Sequence, residues 1–324
     1  MKIAVLPGDG IGKEVVPVAY EVLKIAVPGA EFVQVDVGNE RYVREGVAMS
    51  PQDLETIKAC DCVLFGAITS PPGKPYRSII LTLRKELDLY ANIRPFRSCA
   101  ISPRKVDFTI YRENSEDLYM GIEEITKDEA RSVRVITRKA SERIARAACM
   151  KPGIGKLPIV HKANVLKADE LFKDACSQIA KSMNVSYEDM LVDTAAYNLV
   201  RAPEKFDTIV TTNMFGDILS DEAAALIGSL GLSPSANVGD KYALFEPVHG
   251  SAPDIAGKGI ANPFAAVLSV RMLLDWAGKP EMARAAQSAV DRTIESGVLT
   301  PDLGGNYTTL QVQSAILKNL ESLI

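Results

Sequence analysis

The hydrophobic positions of this chain fall into short continuous runs separated by amphipathic stretches. The run KIAVLP from Lys2 predicts a strand, and the helical spacing of apolar residues from Gly12 to Ala26 predicts a helix behind it. FVQVDVG and DCVLFGA predict two further strands, with a helix across Asp53–Ala59 between them. RSIILTLRKELDLYANIRP reads as a helix running into a strand, VDFTIYREN as a strand, and SVRVITRKASERIARAACM as a strand followed by a helix. KLPIVHKANVLK is a strand ending in a polar turn, and TIVTTNMFGDILSDEAAALIGSLGL passes from strand to helix. The final third reads as loop-rich up to Pro263 and helical beyond it. This alternation predicts an α/β fold, a sheet flanked by helices.

Composition narrows the function classes. The 324 residues are 47% hydrophobic and 24% charged, enough for a substantial core in one large or two ordinary domains. Lys and Arg number 37 against 41 Asp and Glu, and no basic block marks a nucleic-acid binder, so a small-molecule partner fits better. Five scattered cysteines and two histidines point to neither a disulfide framework nor a zinc site, and Cys60-x-Cys62 reads as core packing. No charged leader precedes the first strand and no 18-residue apolar span occurs. The expectation is a soluble cytoplasmic protein without membrane contact.

The first strand-to-helix turn, LPGDGIGKEVV, tests two phosphate-binding fingerprints and fits neither. A dinucleotide G-x-G-x-x-G starting at Gly8 needs glycine where Lys13 stands; a Walker loop needs glycine at Pro7 and a hydroxyl residue at Glu14. A structural turn and a ligand contact both remain open for it.

Several charged residues are better candidates. Arg84 and Arg94 bracket RKELDLYANIR, and Arg112 ends the strand FTIYREN; their planar forks suit a substrate with two carboxylates, or else structural ion pairs. Asp217 and Asp221 are four apart on one helix face, among apolar neighbours. They are either a solvated acidic pair or ligands of Mg²⁺ or Mn²⁺, with Asp193 in LVDTAAYN available as a third carboxylate. Lys162 follows an apolar strand as a candidate base, and Tyr119 in RENSEDLY could serve as an acid if its phenol lay beside Lys162. FEPVHGSAPDIAGKGIANP, with His249 and Asp254, could wrap a nucleotide, an acidic side chain accepting from both ribose hydroxyls; a surface excursion is the alternative.

Seven segments together, GDGIG, LRKELDLYANIRP, RENSEDLY, HKANVLK, NMFGDILSDEAA, FEPVHGSAPDIAGKGIANP and TPDLGGNYTT, stand in the order of one family. The chain resembles the β-decarboxylating dehydrogenases of 3-isopropylmalate, homoisocitrate and isocitrate. The resemblance implies an isopropylmalate dehydrogenase-like, non-Rossmann α/β fold in two domains: residues 1–89 with 228–324 on the cofactor side, and residues 90–227 for substrate, metal and dimerisation. It implies a homodimer with shared active sites, which can pair into a tetramer; Lys162 and Asp193 come from one subunit and the other residues from its partner.

By the same resemblance, Arg84, Arg94 and Arg112 grip a 2-hydroxy acid carrying a carboxylate on C3, and Asp193, Asp217 and Asp221 hold Mg²⁺ or Mn²⁺. Lys162, directly or through water and Asp193, takes the hydroxyl proton, and Tyr119 protonates the enolate carbon after CO₂ leaves. The cofactor contacts fall on Ile11, Thr69, Asn164, Glu246, His249, Gly250, Ser251, Ala252, Asp254 and Asn262. Asp254 followed by Ile255 matches the NAD-using pattern, and Asp36 has no ribose-binding role. Ser78, Ile80 and Leu81 face the variable part of the substrate. Ile80 and Leu81 fit the isopropyl group of 3-isopropylmalate, a leucine precursor, whereas Arg77 with Ser78 fits the third carboxylate of homoisocitrate or isocitrate. Isocitrate-specific relatives carry Asn where Ile80 stands, which places isopropylmalate first and homoisocitrate next. A non-catalytic regulatory subunit of an isocitrate dehydrogenase is the alternative of another class, one expected to have lost residues that are all present here.

Overall fold

A computed structural model describes residues 1–70, 76 and 78–324. Arg77, invoked above for a third carboxylate, lies outside the described residues. The chain opens with β1 (Lys2–Gly8), α1 (Gly12–Ala26), β2 (Glu31–Gln34), α2 (Asn39–Glu45), α3 (Pro51–Lys58), β3 (Cys62–Ala67) and α4 (Ile79–Glu86). The middle holds β4 (Ala91–Arg97), β5 (Asp107–Glu113), β6 (Glu123–Ile125), β7 (Ala130–Ser132), α5 (Arg138–Cys149), β8 (Lys156–His161), α6 (Lys167–Ser182), β9 (Ser186–Leu191), α7 (Val192–Arg201), β10 (Thr208–Thr211) and α8 (Asn213–Ile227). The remainder is β11 (Pro234–Val238), β12 (Ala243–Pro247), α9 (Phe264–Trp276), α10 (Pro280–Glu295) and α11 (Thr309–Glu321).

Two compact units divide these elements: Met1–Leu87 with Cys99–Ser102 and Gly228–Ile324, and Asp88–Ser98 with Pro103–Ile227. In the first unit the strands run in the order β2-β1-β3-β12-β11, all parallel except the β11–β12 pair. Continuous apolar sequence in β3, buried at every position, is what a parallel strand covered on both faces requires. In the second unit the order is β4-β5-β10-β8-β9, with β4 antiparallel to β5 and the rest parallel. Phe172, Ile144, Leu157, Ile159 and Val210 form the centre of its core. Because β5, β10, β8 and β9 run the same way, the residues following them all emerge at one edge of the unit, where α/β sheets bind ligands.

The structure departs from the sequence reading in four places. FVQVDVG is a strand only over β2, and Asn39–Glu45 behind it is a short helix that the pattern did not mark. SVRVIT is not a strand of the large sheet: among the described residues Ala130–Ser132 pairs with Glu123–Ile125 alone, in an exposed hairpin, and residues 133–137 leave strand geometry as Arg134 turns inward to two buried acids. The loop-rich stretch before Pro263 contains β11 and β12; PSANV has a single β-branched residue, Val238, and burial along the segment makes it a strand. Cys60 and Cys62 are buried in the core as expected, and burial pushes the Cys62 thiol up to about 12. Among the described residues no helix is long and apolar enough to cross a membrane.

Candidate active site

Arg112 stands near the end of β5 and is almost fully enclosed, with its side chain 2% exposed. Its Nε and Nη2 donate to Asn213 Oδ1 at 3.0 and 2.7 Å, and its Nη1 donates to Asp217 Oδ1 at 2.5 Å. Asn213 and Asp217 are one turn apart on α8, so the planar fork clamps the first two turns of that helix. The approach is possible because Gly216 faces the arginine: a Cβ there would lie 2.6 Å from Arg112 Cγ. Asn213 in turn donates to the Glu116 carbonyl at 2.9 Å, which ties α8 to the RENSEDLY segment.

Arg94 comes from β4, whose antiparallel register sets Asn92 opposite Arg112 and puts Arg94 on the same face, one step along. Its Nε donates to Asn92 Oδ1 at 2.6 Å and its Nη1 lies 3.6 Å from Asp217 Oδ1. Tyr119 sits in the 3₁₀ turn Asp117–Met120, donates to Asp217 Oδ2 at 2.5 Å, and has the Arg112 guanidinium 5.3 Å from its ring centre. Tyr119 therefore meets Asp217, not Lys162, within this chain.

Lys162 follows β8 directly and Asp193 follows β9 by two residues in the first turn of α7; the two side chains form an ion pair. That hydrogen bond from Lys162 holds the Asp193 carboxyl below its ordinary range. Asn164 is exposed in the turn after Lys162.

The donor set of α8 fits an oxygen-liganded divalent cation. Desolvation and then the Asp217 charge raise the Asp221 carboxyl, against the pull of Arg94 and Arg112. A hard cation relieves that repulsion, and carboxylate oxygens are its preferred ligands. Among the described residues no three acidic, histidine or cysteine side chains group closely enough to hold a metal within one chain, and Asp193 is engaged with Lys162.

The cofactor-side candidates lie on the first unit. Ile11 N–H donates to the Ser251 carbonyl at 2.9 Å, and Gly10, at φ +56°, packs so that a Cβ would fall 2.1 Å from the same oxygen. Thr69 Oγ1 is 2.7 Å from Ser251 Oγ, Gly257 N–H donates to Glu14 Oε1 at 2.6 Å, and Thr309 N–H donates to the Gly259 carbonyl at 2.9 Å. Three separate segments, residues 10–14, Thr69 and Thr309, thus anchor the 249–262 loop. Ala252 holds a positive φ of 39°, the Gly250 Cα faces open space, and Asp254 is exposed. His249 Nδ1 pairs with the Gly250 carbonyl at 3.0 Å, while its Nε2 is buried and has no partner among the described residues; burial lowers the imidazole's pKa. An unpaired acceptor beside an anchored, glycine-rich backbone fits a nucleotide that brings donors of its own.

Two residues in this group have structural partners as well. Asn262 accepts from Phe264 N–H at the start of α9 at 3.0 Å and donates to Asp302 of TPDLGGNYTT at 2.9 Å. Glu246 is 8% exposed and accepts from Asn237 at 2.7 Å and from Arg84 Nη2 at 3.3 Å. Arg84 belongs to the first unit, whereas Arg94 and Arg112 belong to the second. On α4, Ile79 and Leu83 are buried, as is Leu87 just past its end, and Ile80, Leu81 and Arg84 share another side at helical spacing, Ile80 and Leu81 half-buried. Ser78 precedes the helix and its carbonyl accepts from Thr82.

Sequence reasoning missed Asp9, Glu14 and Arg134. Asp9 is 2% exposed and accepts from the N–H groups of Asn39, Glu40 and Thr69 at 2.8–2.9 Å, which holds Thr69 beside Ser251. The signal was the acid inside GDG, overlooked because the glycines drew the comparison with phosphate loops. Asp36 pairs with Arg44 at 2.5 Å, as befits a surface acid.

The sequence profile described as isocitrate/isopropylmalate dehydrogenase matches residues 2–316. The chain is 50% identical to homoisocitrate dehydrogenase of Methanocaldococcus jannaschii over 98% of its own length and 97% of that protein's. It is 46% identical to 3-isopropylmalate dehydrogenase of Methanothermobacter thermautotrophicus over 99% of each. Its fold superimposes on isocitrate dehydrogenase from Methylococcus capsulatus with a TM-score of 0.94 at 42% identity, covering 98% and 99% of the two chains. Likeness of this extent, in sequence and in fold, makes the chain a member of the isocitrate/isopropylmalate dehydrogenase family, a β-decarboxylating dehydrogenase.

Proposed function

We propose that the chain carries out NAD-dependent oxidative β-decarboxylation of a 2-hydroxy acid bearing a carboxylate on C3, with 3-isopropylmalate as the substrate. The observation that carries the reaction is the convergence of Arg94, Arg112 and Tyr119 on Asp217, with Asp221 one turn farther along α8. Asp217 and Asp221, with Asp193 of a second subunit, would hold Mg²⁺ or Mn²⁺. When bound, the cation would supply electrophilic assistance and a nicotinamide cofactor would supply the hydride acceptor for C2. The protein side does the rest. Arg94 and Arg112 fix the carboxylates against rotation, and Lys162, once neutral after passing its extra proton through Asp193 to water, accepts the hydroxyl proton. Tyr119 delivers a proton to the carbon that loses CO₂, its phenol already oriented by Asp217. The exposed carboxylate of Asp254 accepts from ribose hydroxyls and repels a 2′-phosphate, which favours NAD⁺ over NADP⁺. The working form in this reading is a cytoplasmic homodimer with shared sites.

Ile80 and Leu81 carry the substrate choice: two half-buried apolar side chains on the Arg84 side of α4 suit an isopropyl group, worth roughly 1.5–3 kcal/mol if fully buried. A second reading, homoisocitrate, draws on the 50% identical homoisocitrate dehydrogenase and on Arg77 in the sequence. The test is kcat/KM for isopropylmalate, homoisocitrate and isocitrate with NAD⁺ and Mg²⁺. A clear preference for isopropylmalate is expected; preference for a tricarboxylate overturns the substrate assignment. No NADH from any of the three would point to a silent subunit.

A further inference from the structure

Arg134 lies just past the exposed hairpin, in the segment that the sequence pattern read as strand. Its guanidinium enters the second unit and meets two acids that are each 0% exposed. Nε donates to Asp117 Oδ1 at 2.6 Å and Nη2 lies 3.4 Å from Asp117 Oδ2. Nη1 pairs with Asp169, and Nη2 also donates to Thr212 Oγ1 at 3.0 Å, directly before α8. The cation lies 5.0 Å from the ring centre of Phe215.

Each of these acids holds a different part of the candidate site. Asp117, at φ +74°, accepts from Leu118 N–H at 2.9 Å and from Met214 N–H at 3.1 Å. It thereby fixes both the turn that carries Tyr119 and the start of the helix that carries Asp217 and Asp221. Asp169 accepts from the backbone N–H of Lys162 at 2.6 Å. Among the described residues Arg134 is the side chain that bridges the two acids, and its rigid fork sets their separation. We infer that Arg134 is a positioning residue for the dehydrogenase reaction, holding through Asp169 the Lys162 turn that serves one shared site of the dimer and through Asp117 the Tyr119 turn and acidic helix that serve the other; the inference rests on the reaction proposed above.

The test compares wild type with Arg134→Lys, which keeps the charge but not the fork. Purified, folded enzyme is assayed with the preferred substrate, unlabelled and carrying deuterium at C2. Displacement of the proton acceptor and donor by about 1 Å lowers kcat about 10²-fold. The expected outcome is that loss, KM for substrate and NAD⁺ within about threefold of wild type, and a larger isotope effect on kcat as chemistry becomes rate-limiting. A merely structural arginine would lower the active fraction and leave the isotope effect unchanged, and that result overturns the inference while the proposed reaction stands. Wild type that oxidises none of the three acids removes the reaction and this inference with it. Should Arg134→Lys fail to fold, Asp169→Asn keeps an acceptor for Lys162 N–H and weakens the pair. Reduced kcat with a raised isotope effect supports positioning, and wild-type values for both refute it.

Discussion

Asp217 gives one carboxylate oxygen to Arg112 and the other to Tyr119, so a single side chain joins the arginine proposed to grip the substrate to the proposed acid. Residue types told part of this in advance: arginine forks, a tyrosine and two acids at helical spacing are recognisable because their chemistry is local to the motif. Asp9 and Arg134 were illegible because their roles depend on N–H groups and acids up to 60 positions away, brought together only by folding. Asp254 is exposed, so its substitution is separable from folding; Asp254→Lys should move kcat/KM from NAD⁺ toward NADP⁺, and an unchanged ratio would remove Asp254 as the ribose acceptor. Glu116 gives a pH signature. Burial, helped by Glu113 and Asp117, raises its carboxyl to about 7 while its Oε1 accepts from Thr137 N–H at 2.8 Å. Between the ordinary glutamate range of about 4.3 and pH 7, the folded chain keeps a proton that the unfolded chain has released, so stability falls as pH rises through that window. Glu116→Gln should therefore gain in Tm relative to wild type between about pH 5 and pH 8. A Tm difference independent of pH would contradict the shift.

At the scale of elements, the helices and parallel strands with strong periodicity were readable, α1 to the residue. The weak ones were not: β11 is a strand through burial rather than propensity, and the segment around Arg134 has a strand-like pattern but no sheet partner. Boundaries between units are equally unmarked by composition, since the breaks at Leu87/Asp88 and Ile227/Gly228 fall within segments of ordinary polarity. The glycine turn that resembled a phosphate loop is a clasp, in which Gly10 and Ile11 seat the carbonyl of Ser251. Gly216 makes the analogous close approach in the other unit. Gly216→Ala drives a methyl group against the stem of the enclosed Arg112, so kcat/KM should fall about 10²-fold and Tm should fall as well, overpacking of a buried site costing about 1–3 kcal/mol. Wild-type kinetics in that variant would show that the Arg112–α8 contact is not needed for turnover.

For the whole molecule, the second unit presents two separately organised clusters, Lys162 with Asp193 and Tyr119 with Asp217. Our account has them act on one substrate across a two-fold axis, the first pair from one subunit and the second from its partner. Lys162→Met and Asp217→Asn homodimers should each be folded and nearly inactive. Unfolding an equimolar mixture of the two variants and refolding them together then tests the arrangement directly. Random pairing makes half the molecules hybrids, each with one intact site, so activity should return to about a quarter of wild type. A mixture that stays as inactive as its parents would contradict the shared site.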